Sequence, residues 1–268
     1  VSSATFGLGW TLPGLDPNTT YYFQARNKNA QVSSPNLSLG STMTLAIAPT
    51  PLGATSTYLN VYQTSVTAAW ASIAPSVYSS MTASGFPLEA AASDFSGSPA
   101  VAGSSAAYNT LSSTLTVSGL TMNTTFYFRV GSINQLGAVN YVSLGSTVTV
   151  PGPPGVPSTT FTSVSTLGLV ANWTNGGNPL PQILSYDADI STGAFPNSNA
   201  GNVTARVQTT SAAFGSGGQA PNLAPNTTYY FQARSFNLHF FSPYTSLGST
   251  HTLAVAPTTL ASTFTGVF

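Results

Sequence analysis

One nine-residue string constrains this chain more than any other feature. Asn18-Thr-Thr-Tyr-Tyr-Phe-Gln-Ala-Arg26 returns unchanged as Asn226–Arg234, and in altered form as Asn123-Thr-Thr-Phe-Tyr-Phe-Arg-Val-Gly131. A second block, Leu39-Gly-Ser-Thr42, recurs as Leu144–Thr147 and Leu247–Thr250, so both step by 105 and then 103 residues. A period of about 104 residues means serial copies of a domain-sized unit rather than one large core. Copies one and three are the closer pair, in register at a constant offset of 208 as far as Leu52 and Leu260. The middle copy differs, and a proline-rich linker of its own, Pro151-Gly-Pro-Pro-Gly-Val-Pro157, follows it. Two kinds of repeat therefore alternate.

Within a copy the hydrophobic pattern has the period of a strand. Short runs of Thr, Val, Tyr and Phe alternate with polar residues and stop at Gly, Pro, Asn and Ser, with no sustained helical spacing. Tyr21, Phe23 and Ala25 share one face of the best strand, and Tyr22, Gln24 and Arg26 share the other, which the charge marks as solvent-facing. About seven such strands per copy predict a two-sheet sandwich.

The run Leu15-Asp-Pro-Asn-Thr-Thr-Tyr21, repeated at Leu120–Phe126 and Leu223–Tyr229, resembles the Leu-x-Pro-x-Thr-x-Tyr element of fibronectin type III domains. Trp70 and Trp173, 103 residues apart, match the tryptophan that family carries on its second strand. The resemblance spans essentially the whole chain and implies tandem immunoglobulin-like sandwiches, an all-β fold. Trp70, Trp173, Tyr21, Phe126 and Tyr229 are its expected core markers. It also implies a tyrosine corner, a ring hydroxyl bonded to backbone a few residues upstream, which Tyr21 and Tyr229 can make and Phe126 cannot. On this reading residues 1–48 are the C-terminal part of one domain, 49–150 and 151–256 are complete domains, and 257–268 are the first strand of a further domain or a donated strand.

Chemistry is sparse. Charged residues are 4% of the chain, five basic and five acidic, against roughly a quarter in an ordinary soluble domain. That argues against an electrostatic nucleic-acid binder and a polybasic membrane anchor, and no apolar run approaches the ~18 residues of a membrane helix. The absence of cysteine excludes disulfides and thiolate sites. His239 and His251 are the sole histidines, and no nucleophile elbow, phosphate loop or zinc signature occurs. No catalytic residue, cofactor or metal is expected. Asp187 and Asp189 share one strand face and read as solvated carboxylates.

Aromatic residues are the candidates for contact. Tyr22, Tyr127 and Tyr230 recur on the outward face of one strand, and Arg129 sits two residues from Tyr127, within reach of a cation–π contact. The hairpin tip that follows carries Phe236, Phe240, Phe241 and Tyr244 in the third copy. Three destinations are open for that tip: a neighbouring domain or subunit, the domain's own core, or a small ligand. Asn18, Asn36, Asn123, Asn172, Asn202 and Asn226 stand in Asn-x-Ser/Thr sequons, acceptors for glycan where the source has the machinery. Expected partners are copies of the chain itself or neighbouring domains of a longer chain, with no nucleic acid and no membrane insertion. The expected role is a secreted or cell-surface structural protein forming a filament, sheath or coat; the alternative is a spacer or binding module of an adhesin or secreted carbohydrate-active enzyme.

Overall fold

The computed structural model describes residues 14–73, 82–108, 112–179, 184–196 and 203–258. The chain divides into two compact units, the first ending at Thr149 but excluding Met122–Thr124, the second made of Met122–Thr124 and the residues from Val150 onward.

The first unit opens with a hairpin, β1 (Thr20–Ala25) and β2 (Leu37–Met43). Then come β3 (Thr50–Pro51), β4 (Tyr58–Val61), β5 (Ser65–Ala71), β6 (Gly85–Ala91), β7 (Val101–Tyr108), β8 (Thr114–Ser118), β9 (Thr125–Ile133) and β10 (Val139–Val148). One helical turn, Ala54–Thr57, precedes β4. β3 and β4 both pair with β5, which also pairs with β8; the opposing sheet runs β10-β9-β6-β7. All of these pairings are antiparallel. Alternate residues of both sheets turn inward, so Val66, Trp70, Phe86, Leu88, Val117, Phe128 and Val130 form one buried cluster. Trp70 packs on Phe86 with centroids 5.7 Å apart, and Tyr58 meets Phe128 edge-on at 5.3 Å. Full burial of a side chain such as Phe128 contributes roughly 1.5–3 kcal/mol.

The second unit repeats the plan with β11 (Phe161–Thr162), β12 (Gly168–Asn172), β13 (Ser185–Ser191), β14 (Val203–Val207), β15 (Ser211–Gly215), β16 (Thr228–Phe236) and β17 (Thr245–His251). A β11-β12-β15 sheet faces a β14-β13-β16-β17 sheet. Trp173, Tyr186, Ile190, Phe214 and Phe231 fill the space between them. The fold is thus all-β, with tandem fibronectin type III-like sandwiches, as the sequence pattern predicts.

The recurrent Ser-Leu-Gly-Ser-Thr block has a backbone cause. Gly40, Gly145 and Gly248 all sit at φ near +90°, where the last strand of each copy bulges and shifts register against its partner. A side chain at that φ is strained, so glycine recurs. The serine two residues earlier accepts from the glycine N–H in each copy, at 3.2–3.4 Å.

The tyrosine corner is also visible. The Tyr21 hydroxyl accepts from the Asp16 N–H at 2.7 Å, and the Tyr229 hydroxyl from the Ala224 N–H at 2.9 Å. Phe126, equally placed and buried, has no hydroxyl to do so. Trp70 and Trp173 are buried, each with an indole N–H that meets no acceptor among the described residues.

Candidate interaction surfaces

Two kinds of surface stand out, and the first was not singled out by sequence. The asparagine that opens each nine-residue string occupies a left-handed turn, with φ of 50°, 48° and 48° at Asn18, Asn123 and Asn226. Asparagine tolerates that conformation better than most residues. Its N–H donates to the chain leaving the copy, at Leu45, Val150 and Leu253 respectively. The turn is therefore tied to the segment by which the chain leaves each copy.

In the first unit the asparagine side chain meets the next repeat. Asn18 Oδ1 accepts from the Gln135 N–H at 2.8 Å, and Asn18 Nδ2 donates to Ser84 Oγ at 3.4 Å. Asn134 Nδ2 donates to Thr44 O at 3.1 Å and Asn140 Nδ2 to Ala46 O at 3.0 Å, while the Ile47 N–H donates to Thr82 O. Asn134 is preset for this, because its Oδ1 already accepts from the Leu136 and Ala138 N–H groups and fixes the amide outward. Asn18 is 1% exposed. Within the second unit Asn123, 0% exposed, makes a similar set of contacts: Asn237 Nδ2 donates to its Oδ1 at 3.1 Å, and its own Nδ2 donates to Pro179 O. Every one of these groups is neutral.

These positions correct the sequon reading at two sites. Asn18 and Asn123 are buried and hydrogen-bonded through their amides, which leaves no room for a glycan. Asn36 and Asn226 are exposed, Asn172 is half-buried and donates to Thr160 O and Thr162 Oγ1, and Asn202 lies outside the described residues. Residues 259–268, most of the expected terminal strand, also lie outside them.

The second kind of surface is a charged, aromatic layer on the outer face of the β14-β13-β16-β17 sheet, with a smaller one on the β10-β9-β6-β7 sheet. Asp187 and Asp189 do share a face, but they are buried rather than solvated. Cross-strand register explains it: Asp187 lies opposite Arg206 on β14 and Arg234 on β16, and Asp189 opposite Thr204 and Gln232. Both arginines donate to Asp187 at 2.7–3.2 Å, and Thr204 and Gln232 donate to Asp189 at 2.8 and 2.9 Å. Burial alone raises the Asp187 pKa, but the two arginines outweigh it and hold the carboxyl below the usual range.

The aromatic tip folds onto this layer. Phe236 and Phe241 stack at 4.4 Å, the Arg234 guanidinium lies 3.9 Å from the Phe241 centroid and 4.7 Å from that of Tyr244, and Arg206 covers Phe236 at 5.0 Å. The tip thus packs on its own sheet's exterior, with Phe240 half-buried beside it. Burial, then the charge and hydrogen bond of Asp189, push the Tyr244 hydroxyl up to about 12. Tyr230 and Tyr244 also line a shallow groove of about 540 Å³ with Phe195 and Gln232.

The middle repeat carries a smaller version. Glu89 accepts from Arg129 and from the Tyr141 hydroxyl, both at 2.7 Å, and Arg129 lies over Tyr141 at 4.0 Å and Phe95 at 4.2 Å. Those two rings take the place that sequence gave to Tyr127, which is half-buried. Tyr22, at the same repeat position, is 82% exposed.

Among the described residues no group of three or more His, Asp or Glu gathers as a metal site, and no helix is long and apolar enough to cross a membrane. Neither a family model nor a curated protein matches the sequence. Among solved structures the chain is similar to a two-domain fibronectin type III segment of chicken tenascin, at TM-score 0.40 and 17% identity, covering 77% of this chain and all of that one. It is also similar to the FN1–FN3 domains of chicken CNTN1, at TM-score 0.34 and 17% identity over 75% of this chain and 66% of that one.

Proposed function

We propose that this chain is a repetitive structural protein of the cell exterior, whose sandwiches build a filament, sheath or surface coat by packing on one another. The observation that carries the reading is the amide clamp around Asn18. Five side-chain and backbone groups of the middle repeat, from Thr82, Ser84, Asn134, Gln135 and Asn140, engage the first repeat, so consecutive copies are docked rather than strung on a free linker. The sparse charge fits this role, since a surface with so little colloidal repulsion favours contact with its own kind.

Electron microscopy of the purified protein tests the reading. Regular fibres or sheets are expected, and they should persist in molar salt because the contacts that join the copies are uncharged. Separate particles, or beads whose spacing and angle vary freely, would instead mark a spacer within an adhesin or a secreted enzyme.

A further inference from the structure

The third copy presents the same clamp half as the first. Asn226 has the turn geometry of Asn18, the Thr227 N–H donates to Thr252 Oγ1 at 3.1 Å as Thr19 does to Thr44, and Thr252 Oγ1 donates to Ala224 O at 2.6 Å as Thr44 does to Asp16 O. The residues leaving the copy are Leu253-Ala-Val-Ala-Pro257, against Leu45-Ala-Ile-Ala-Pro49 in the first. Yet Asn18 and Ala46 are buried, whereas Asn226 and Ala254 are exposed and Val255 is 66% exposed. Sequence and hydrogen bonding are matched, so the difference lies in what rests on the face: at Asn18 it is the middle repeat.

We propose that the end of the third repeat, Asn226 with Leu253–Ala256, is a docking face for a further sandwich of the middle-repeat kind, clamped by the amide contacts that hold Asn18. The occupant is set by complementarity. Ala46 O accepts from an asparagine amide, Thr44 O from a second and Ile47 N–H reaches a carbonyl, and the third repeat offers the same groups at Ala254, Thr252 and Val255. A middle-type sandwich supplies all three partners, at positions equivalent to Asn140, Asn134 and Thr82. The first repeat's own tip carries Asn29, whose Oδ1 accepts from the Gln31 and Val32 N–H groups in the manner of Asn134, so a second chain docking by that tip is the rival occupant. The described part of that repeat holds the hairpin alone, without a Thr82 or Ser84 equivalent, so it fits less of the face. The inference rests on the structural reading above and names the occupant of one interface.

The test extends the native chain. Ser262–Phe268 stand in register with Ser56–Tyr62, Phe264 on Tyr58 and Val267 on Val61, so a copy of residues 63–150 is appended after Phe268, and amide exchange is followed at Val255 in both chains. Docking slows the Val255 amide at least about ten-fold in the extended chain, toward the protection of Ile47, and Asn226→Gly, which keeps the left-handed turn but removes the amide, restores the faster rate there while leaving the native chain unchanged. Equal Val255 rates in the two chains overturn the proposal. So does an appended copy that stays unfolded by its tryptophan fluorescence while residues 49–150 remain folded. Protection of Val255 that rises with concentration in the native chain overturns the choice of occupant in favour of the Asn29 tip. Fibres seen by microscopy without Val255 protection would sink this inference and leave the structural role standing.

Discussion

The β1–β2 hairpin and the β16–β17 hairpin are nearly the same sequence in two settings. Leu247 is 4% exposed and Phe231 is buried, because β11, β12 and β15 lie across from them. Leu39 is 61% exposed and Phe23 only half-buried, since among the described residues no second sheet faces that hairpin. The backbone is indifferent to this: both hairpins keep the glycine bulge and the tyrosine corner. Local sequence sets the hairpin, and opposing strands set its burial. A second contrast holds between the β14-β13-β16-β17 sheet, braced by a two-arginine layer around Asp187, and the β10-β9-β6-β7 sheet, braced by a single arginine on Glu89.

The largest expected effect separates those two sheets. Asp187→Asn leaves two arginines facing each other across a buried position and should destabilise the second unit by about 2–3 kcal/mol in chemical denaturation, a discounted figure because Arg206 is half exposed. Glu89→Gln, with one arginine and more solvent, should cost about 1 kcal/mol. Equal losses would break the comparison.

Next comes the corner. Tyr229→Phe should lose about 0.5–1.5 kcal/mol with its bond to the Ala224 N–H, and Phe126→Tyr should leave the middle repeat unchanged or gain up to a similar amount. A clear loss from Phe126→Tyr would mean that the copies are misaligned.

Titration sharpens the difference between acid and alkaline limbs. The Asp187 pKa is depressed on folding, so its contribution is present above the ordinary value of about 3.9 and is lost as pH falls through and below that value. Tyr141 is pushed up to about 12 by burial and by Glu89, as Tyr244 is by burial and Asp189. Their contribution is present below the ordinary tyrosine value of about 10 and is lost as pH rises from there toward 12. Thermal melts across pH should therefore show the second unit failing first in acid, and both units weakening in alkali.

The smallest effect is a gain. Ser132 and Ser235 occupy equivalent positions, and each hydroxyl is buried without a partner among the described residues. Replacing either by alanine should be neutral or stabilise by about 0.5–1 kcal/mol, and a loss above that range would reveal an acceptor reached in solution.

Much of this was legible in the letters. Alternation placed Tyr21 and Tyr22 on opposite faces, the 103-residue spacing paired Trp70 with Trp173, and the Leu-x-Pro element located the corner. Two things escaped for physical reasons. The burial of Asp187 depends on cross-strand neighbours Arg206 and Arg234, which lie 19 and 47 residues away, and strand register is not written in local periodicity. The clamp escaped because Asn18 and Asn123 also satisfy a sequon, and a surface reading of that motif hides an asparagine whose amide is buried at a junction. The recurrence of Asn29, Asn134 and Asn237 at one repeat position was the available signal.

The first and middle repeats are locked together by neutral amide contacts. Backbone ¹⁵N relaxation of the native chain measures this directly, by comparing amides of β1 and β2 with those of β6 and β9. A single rotational correlation time shared by both groups is the expected result, with Asn134→Ala splitting it in two. Separate correlation times in the unaltered chain would contradict the claim.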